Sequence, residues 1–109
     1  MSMAIPSGVR QIAESLDDVP AYVYDLAGLA RHVAAVQAAL AGTELCYAVK
    51  ANPDPEVLRT LAPYTDGFEV SSGGEFGHVR ALLPDTRLSF GGPGKTARSR
   101  SMTRCWASV

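Results

Sequence analysis

Two charged side chains of this chain sit where apolar neighbours make charge expensive. Lys50 follows Leu45-Cys46-Tyr47-Ala48-Val49, and Glu69 is flanked by Phe68 and Val70. A charge in such company needs a partner or a task. The task open to the lysine is nucleophilic, because an amine above an apolar stretch condenses with carbonyl compounds. A carboxylate nearby favours the charged form of that nitrogen. The residue type alone also allows a plainer reading, a strand end whose amine points into solvent. Glu75 has two readings as well: it lies six positions after Glu69, and it completes Ser72-x-x-Glu75, a capping box that satisfies free N–H groups where a helix starts.

Other groups promise less. Phe90-Gly91-Gly92-Pro93-Gly94-Lys95-Thr96 ends like a phosphate-cradling P-loop, yet the glycine required five residues before Gly94 is Ser89. Pro93 also lacks an N–H that such a cradle would use. His32 and His78 fall in helical stretches without cysteine or carboxylate partners at ligand spacing, so both are expected as exposed helix residues and no metal is expected. Cys46 lies in an apolar run where a buried thiol is common, Cys105 lies near the end, and a disulfide between them is not expected.

The elements that must position Lys50 and Glu69 follow from spacing. Leu26, Leu29, Ala30, Val33, Val36 and Leu40 predict one amphipathic helix that stops at Gly42. Leu45–Val49 predicts a buried strand ended by Lys50. Asp54 caps a helix whose first position is Pro55, with Val57, Leu58 and Leu61 as its stripe and Pro63 as its end. A second strand covers Gly67–Ser71, a helix from Ser72 carries Phe76, Val79, Leu82 and Leu83 up to Pro84, and Leu88-Ser89-Phe90 is a third strand. This alternation predicts a parallel sheet with helices on at least one side. An open doubly wound sheet and a (β/α)₈ barrel both fit it. Either way Cys46, Ala48 and Lys50 share one strand face, and Glu69 and Ser71 share a face of the next strand. Sites in such folds gather at the C-terminal strand ends, where Lys50 falls.

Three segments in order carry a family likeness. Pro20-Ala21-Tyr22-Val23-Tyr24-Asp25-Leu26, Tyr47-Ala48-Val49-Lys50-Ala51-Asn52 and Gly67-Phe68-Glu69-Val70-Ser71-Ser72-Gly73-Gly74-Glu75 resemble the opening, lysine and second-strand motifs of the ornithine, diaminopimelate and arginine decarboxylase family, across roughly residues 18–96. The resemblance implies the N-terminal part, about three βα units, of a (β/α)₈ TIM barrel of the alanine racemase-like type, incomplete here and followed in the family by a β domain. It implies that Lys50 holds pyridoxal 5'-phosphate and that Ala48 is a small residue beside the cofactor. Glu69, where many members carry Asp, and Glu75 belong to the polar surroundings of the linking nitrogen. The implied reaction is decarboxylation of a basic or diamino acid, in a homodimer. Ser-Gly-Gly-Glu leans toward diaminopimelate, and Gly-Gly-Pro-Gly-Lys-Thr toward decarboxylases of secondary pathways such as siderophore assembly. The ring-nitrogen carboxylate, glycine-rich phosphate loop, ring-stacking histidine and catalytic cysteine of the family come from segments after the third strand, and none is present here. A same-fold racemase, whose Lys-Ala-Asn continues as Tyr-Gly-His-Gly where this chain has Pro53-Asp54-Pro55-Glu56, a pyridoxal-phosphate carrier and a non-enzymatic α/β domain are the alternatives.

Bulk properties agree with a small cytoplasmic chain. The 109 residues carry a net charge of −1, with no basic face for nucleic acid. No apolar run reaches the roughly 18 residues needed for a membrane span, and the start lacks a secretory pattern. After Thr96 the family character stops. Residues 97–109 show no helical or strand period and hold the only Trp, and a shifted reading frame permits an Asp-x-x-Leu-Gly helix end there. The expectation is a barrel portion at 1–96 and an out-of-frame tail at 97–109, a truncated chain without activity of its own, with an open sheet edge and one uncovered apolar face.

Overall fold

A computed structural model describes residues 4–16 and 20–92. The tail at 97–109, with Cys105, and the preceding Lys95 lie outside the described residues. Four helices, α1 (Ser7–Ser15), α2 (Leu26–Ala39), α3 (Pro55–Leu61) and α4 (Gly73–Leu82), accompany three strands, β1 (Cys46–Ala48), β2 (Gly67–Val70) and β3 (Leu88–Phe90). The strands form one parallel sheet in the order β1-β2-β3. Among the described residues no helix is long and apolar enough to cross a membrane.

Local chemistry sets the boundaries. Asp25 caps α2 by accepting from Gly28 N, and the chain leaves that helix through Gly42 at φ 86°. Asp54 caps α3 by accepting from both Glu56 N and Val57 N, with Pro55 in the first turn. Pro63 ends the α-helical run, which closes in a 3₁₀ turn at Ala62–Tyr64.

The sheet is covered on one face. Phe68, Val70 and Leu88 are completely buried and Phe90 is nearly so, and they join Val49, Leu58, Leu61, Phe76 and Val79 in a single core. Tyr47 packs edge-on against Phe68, with ring centroids 6.1 Å apart. Full burial of a side chain of this kind contributes about 1.5–3 kcal/mol, so this layer is what holds the strands in register.

The opposite face corrects an expectation. It carries Cys46, Ala48, Gly67, Glu69 and Ser89, and Cys46 and Glu69 are exposed. The open face is therefore small and polar, and among the described residues no apolar sheet face is left uncovered, because the strands alternate. Cys46 is accordingly a free, exposed thiol, where a buried one was expected. Helix α1 was not anticipated: Ile5, Val9, Ile12 and Leu16 lie at helical spacing, yet the helix contains no buried residue, and Ile5 and Ile12 are 61% and 52% exposed.

Candidate active site

β1 is shorter than its apolar run. It stops at Ala48, and Val49–Ala51 wind into a 3₁₀ turn, so Lys50 stands on a turn just past the strand and does not form its last residue. The reason lies on both sides of the lysine. Val49 is completely buried and anchors the turn in the core, while Asn52 precedes Pro53 and is forced extended, at φ −163° and ψ 111°. Lys50 itself is exposed.

Side chains fasten the segment that follows. The Tyr47 hydroxyl donates to the Asn52 carbonyl at 3.1 Å, and Asn52 Oδ1 accepts from Asp54 N at 3.0 Å. From α4, His78 Nε2–H donates to the Pro53 carbonyl at 2.6 Å. Burial pushes the Tyr47 phenol up, against a smaller opposing effect of its bond to Asn52, so the hydroxyl remains a donor at neutral pH. His78 is half-buried and engaged, which corrects its reading as an exposed helix residue, whereas His32 is exposed as expected.

Glu69 sits in the middle of the open face. Its Cα is paired with Ala48 on one side and Ser89 on the other. Adjacent strands lie about 4.8 Å apart, so these three residues form one row beneath the C-terminal strand ends. Two glycines near Glu69 stand where a Cβ would be crowded. A Cβ on Gly91 would come within 3.2 Å of Glu69 Oε1, and a Cβ on Gly67 would come within 2.8 Å of the Arg87 carbonyl. Partial burial, then the carboxylates of Glu44 and Asp66, push the Cys46 thiol up, with Arg87 opposing them and Glu69 adding a little.

Glu75 lies off this row. Ser72 caps α4, its Oγ accepting from Glu75 N at 3.1 Å, and the Glu75 carboxylate accepts from Ser71 N at 3.4 Å and from Ser72 Oγ at 3.3 Å. The capping box is formed, with its returning bond on Ser71 in place of the cap residue's own N–H. Glu75 and His78, one turn apart, also line a shallow depression with Pro53, Asp54, Pro55 and Gly74.

Ala48 and Glu69 are thus direct neighbours, Lys50 follows Ala48 by two residues, and Glu75 approaches through Ser71. Among the described residues the ion pairs are Arg59–Glu56 and Arg87–Glu44, and neither Lys50 nor Glu69 takes part in one. Among the same residues no group of three metal-ligating side chains occurs. Sequence reasoning did not assign roles to Tyr47, Asn52 and His78. Tyr47 and Asn52 flank the lysine within five positions, but the bond from His78 spans 25 residues and carries no local signal.

The residues suit an aldehyde cofactor. An exposed amine stands at a strand end, and a carboxylate lies on the adjoining face. Ala48, Ser89 and Gly91 leave space around that carboxylate, which a Cβ at position 91 would crowd.

The chain is similar to known proteins. Residues 26–102 match the family model described as pyridoxal-dependent decarboxylase, pyridoxal binding domain. The chain is 38% identical over 89 residues to the 2-[(L-alanin-3-ylcarbamoyl)methyl]-2-hydroxybutanedioate decarboxylase of Staphylococcus aureus, covering 81% of this chain and 22% of that protein. It is 42% identical over 80 residues to the diaminopimelate decarboxylase of Vibrio cholerae, covering 71% and 19%. To the ornithine decarboxylase of Schizosaccharomyces pombe it is 37% identical over 84 residues, covering 75% and 19%. The chain spans about a fifth of the length of these curated relatives. On residues 26–102, the chain belongs to the pyridoxal-dependent decarboxylase family, in its pyridoxal-binding domain.

Proposed function

We propose that this segment supplies the cofactor lysine and its neighbouring carboxylate to a pyridoxal-phosphate-dependent decarboxylase of α-amino acids. The observation that carries the reading is the placement of Lys50 on the turn that ends β1 and of Glu69 near the C-terminal end of the adjacent parallel strand, on a sheet face lined by small residues. When bound, pyridoxal phosphate accepts the electron pair left on the substrate Cα as carbon dioxide departs. Lys50 Nζ is the tether that holds the cofactor. The Glu69 carboxylate holds a proton on that nitrogen by favouring its charged form. Ala48 leaves room beside it, and Glu75 orients the Ser71–Ser72 backbone next to it.

The architecture we propose is a (β/α)₈ barrel to which these strands contribute the first three. Its support is the parallel order β1-β2-β3 with an intervening helix after each of the first two strands and one apolar sheet face packed under helices, the arrangement of successive βα units in a barrel. The proposed substrate is an amino acid with a second nitrogen on its side chain. Two of the relatives are named for diaminopimelate and ornithine, and a third for a compound bearing an alanin-3-ylcarbamoyl group. A homodimer is the proposed assembly.

The chain contains two lysines, Lys50 and Lys95, so one experiment tests the assignment. Borohydride reduction after loading with pyridoxal phosphate, followed by peptide mapping, should leave the pyridoxyl group on Lys50. A label confined to Lys95 would overturn the assignment. Carbon dioxide release from diaminopimelate and from ornithine, assayed on a chain extended to the length of the relatives, discriminates the substrates.

A further inference from the structure

Helix α4 touches both segments that carry the proposed catalytic groups. Its Glu75 carboxylate accepts from Ser71 N, two residues after Glu69. His78 Nε2–H donates to the Pro53 carbonyl, three residues after Lys50. Glu75 and His78 are three apart and so lie on one helix face. The helix has little freedom of its own, because Val79 is completely buried and Phe76 is 8% exposed. Two loops that end separate strands are thereby fastened to one rigid body.

The Pro53 carbonyl is available for this bond. The ladder of α3 begins with Leu58 N on the Asp54 carbonyl, one residue later. Tyr47 adds a second clasp from β1 through the Asn52 carbonyl. Both clasps act on backbone oxygens of the short stretch that closes the Lys50 turn, and that turn is otherwise anchored in the core by Val49.

We infer that His78 is a positioning residue for Lys50: through the Pro53 carbonyl it locks the lysine-bearing turn to α4, and Glu75 locks the Glu69 strand end to the same helix. The amine and the carboxylate are then held in mutual register without touching each other. The inference rests on the proposed role of Lys50, and its test separates the two.

His78→Leu removes the donor, His78→Gln restores one at similar reach, and Tyr47→Phe removes the second clasp. In the cofactor-free chain, amide hydrogen exchange of the 49–54 segment and acylation of Lys50 relative to Lys95 are measured. Pyridoxal-phosphate affinity follows from titration. Loss of a hydrogen bond worth about 0.5–1.5 kcal/mol translates to roughly threefold to tenfold faster exchange in His78→Leu and cofactor binding weaker by a similar factor. The Lys50:Lys95 acylation ratio should change with it, while exchange in 79–90 stays as in the parent. His78→Gln should return all three readouts to within about twofold of the parent, which a residue acting by ring packing alone would not do. If His78→Leu does not fold, His78→Gln and Tyr47→Phe decide: parent-like values in the former and faster 49–54 exchange in the latter support the lock. Unchanged exchange and acylation in a folded His78→Leu, or failure of His78→Gln to restore them, overturns it. A pyridoxyl label on Lys95 would defeat the proposed function instead, and the exchange data would still decide the lock.

Discussion

Replacing Glu75 with alanine removes both acceptors that close the start of α4. Its oxygens receive Ser71 N at 3.4 Å and Ser72 Oγ at 3.3 Å, longer than the usual lengths of about 2.9–3.0 Å for N–H and about 2.7–2.8 Å for O–H donors. Each therefore falls at the low end of the net range, about 0.5 kcal/mol. The charge in the first helical turn adds about 0.3–1 kcal/mol through the helix dipole. Solvent reaches this half-buried site and re-hydrates the freed Ser71 N–H, and alanine is a better helix former than glutamate by a few tenths of a kcal/mol. The net expectation is a loss of about 1 kcal/mol, or a fall in Tm of roughly 4–8 °C for a domain of this size. Glu75→Gln keeps an oxygen for Ser71 and loses only the charge, so it should cost about half as much. Urea denaturation followed by circular dichroism, with an unchanged m-value, measures both. Stability of Glu75→Ala within about 0.3 kcal/mol of the parent would refute the capping assignment. If pyridoxal-phosphate affinity collapsed at the same time, the carboxylate would be a cofactor contact and its capping role incidental.

Four further outcomes are expected. Glu69→Gln, at an exposed position free of ion pairs among the described residues, should change stability by no more than about 0.5 kcal/mol while weakening pyridoxal-phosphate retention, and a purely destabilising effect would contradict its role. Gly91→Ala should disturb the same carboxylate, since the new methyl meets Glu69 Oε1 at 3.2 Å, and titration should show weaker cofactor binding without unfolding. Gly67→Ala forces a methyl to 2.8 Å from the Arg87 carbonyl and should cost about 1–3 kcal/mol in the same denaturation assay. The folded state holds the Cys46 proton more tightly than the unfolded chain does, so this group's contribution to stability is present at neutral pH and is lost as pH rises through the ordinary thiol range. Correspondingly, iodoacetamide should alkylate Cys46 in a Cys105→Ser chain more slowly in the folded than in the urea-unfolded state near pH 8.5, a value of about the free thiol pKa.

The sequence alone determined the alternation of elements, because apolar spacing and punctuation act locally. Asp54-Pro55 set one helix start and Ser72-x-x-Glu75 another, and Leu88-Ser89-Phe90 is a strand as its pattern requires. The same local chemistry marked Lys50 and Glu69 as charges needing a reason, and three short segments were enough to identify the family. The tertiary structure decided where the polar groups meet. β1 ends at Ala48 because Val49 finds the core and Asn52 must extend before Pro53, a competition that strand propensity at Leu45–Val49 does not register. The pairing of Glu69 with Ala48 and Ser89 depends on strand register, which the buried faces of β2 and β3 impose over 20 or more residues. The polar character of the open face likewise emerges only when strands are laid side by side, since one alternating strand does not reveal what its neighbours present. His78 shows the limit most clearly: its partner is a proline carbonyl 25 positions away, and backbone oxygens are the same at every residue, so only the folded path of the chain selects one.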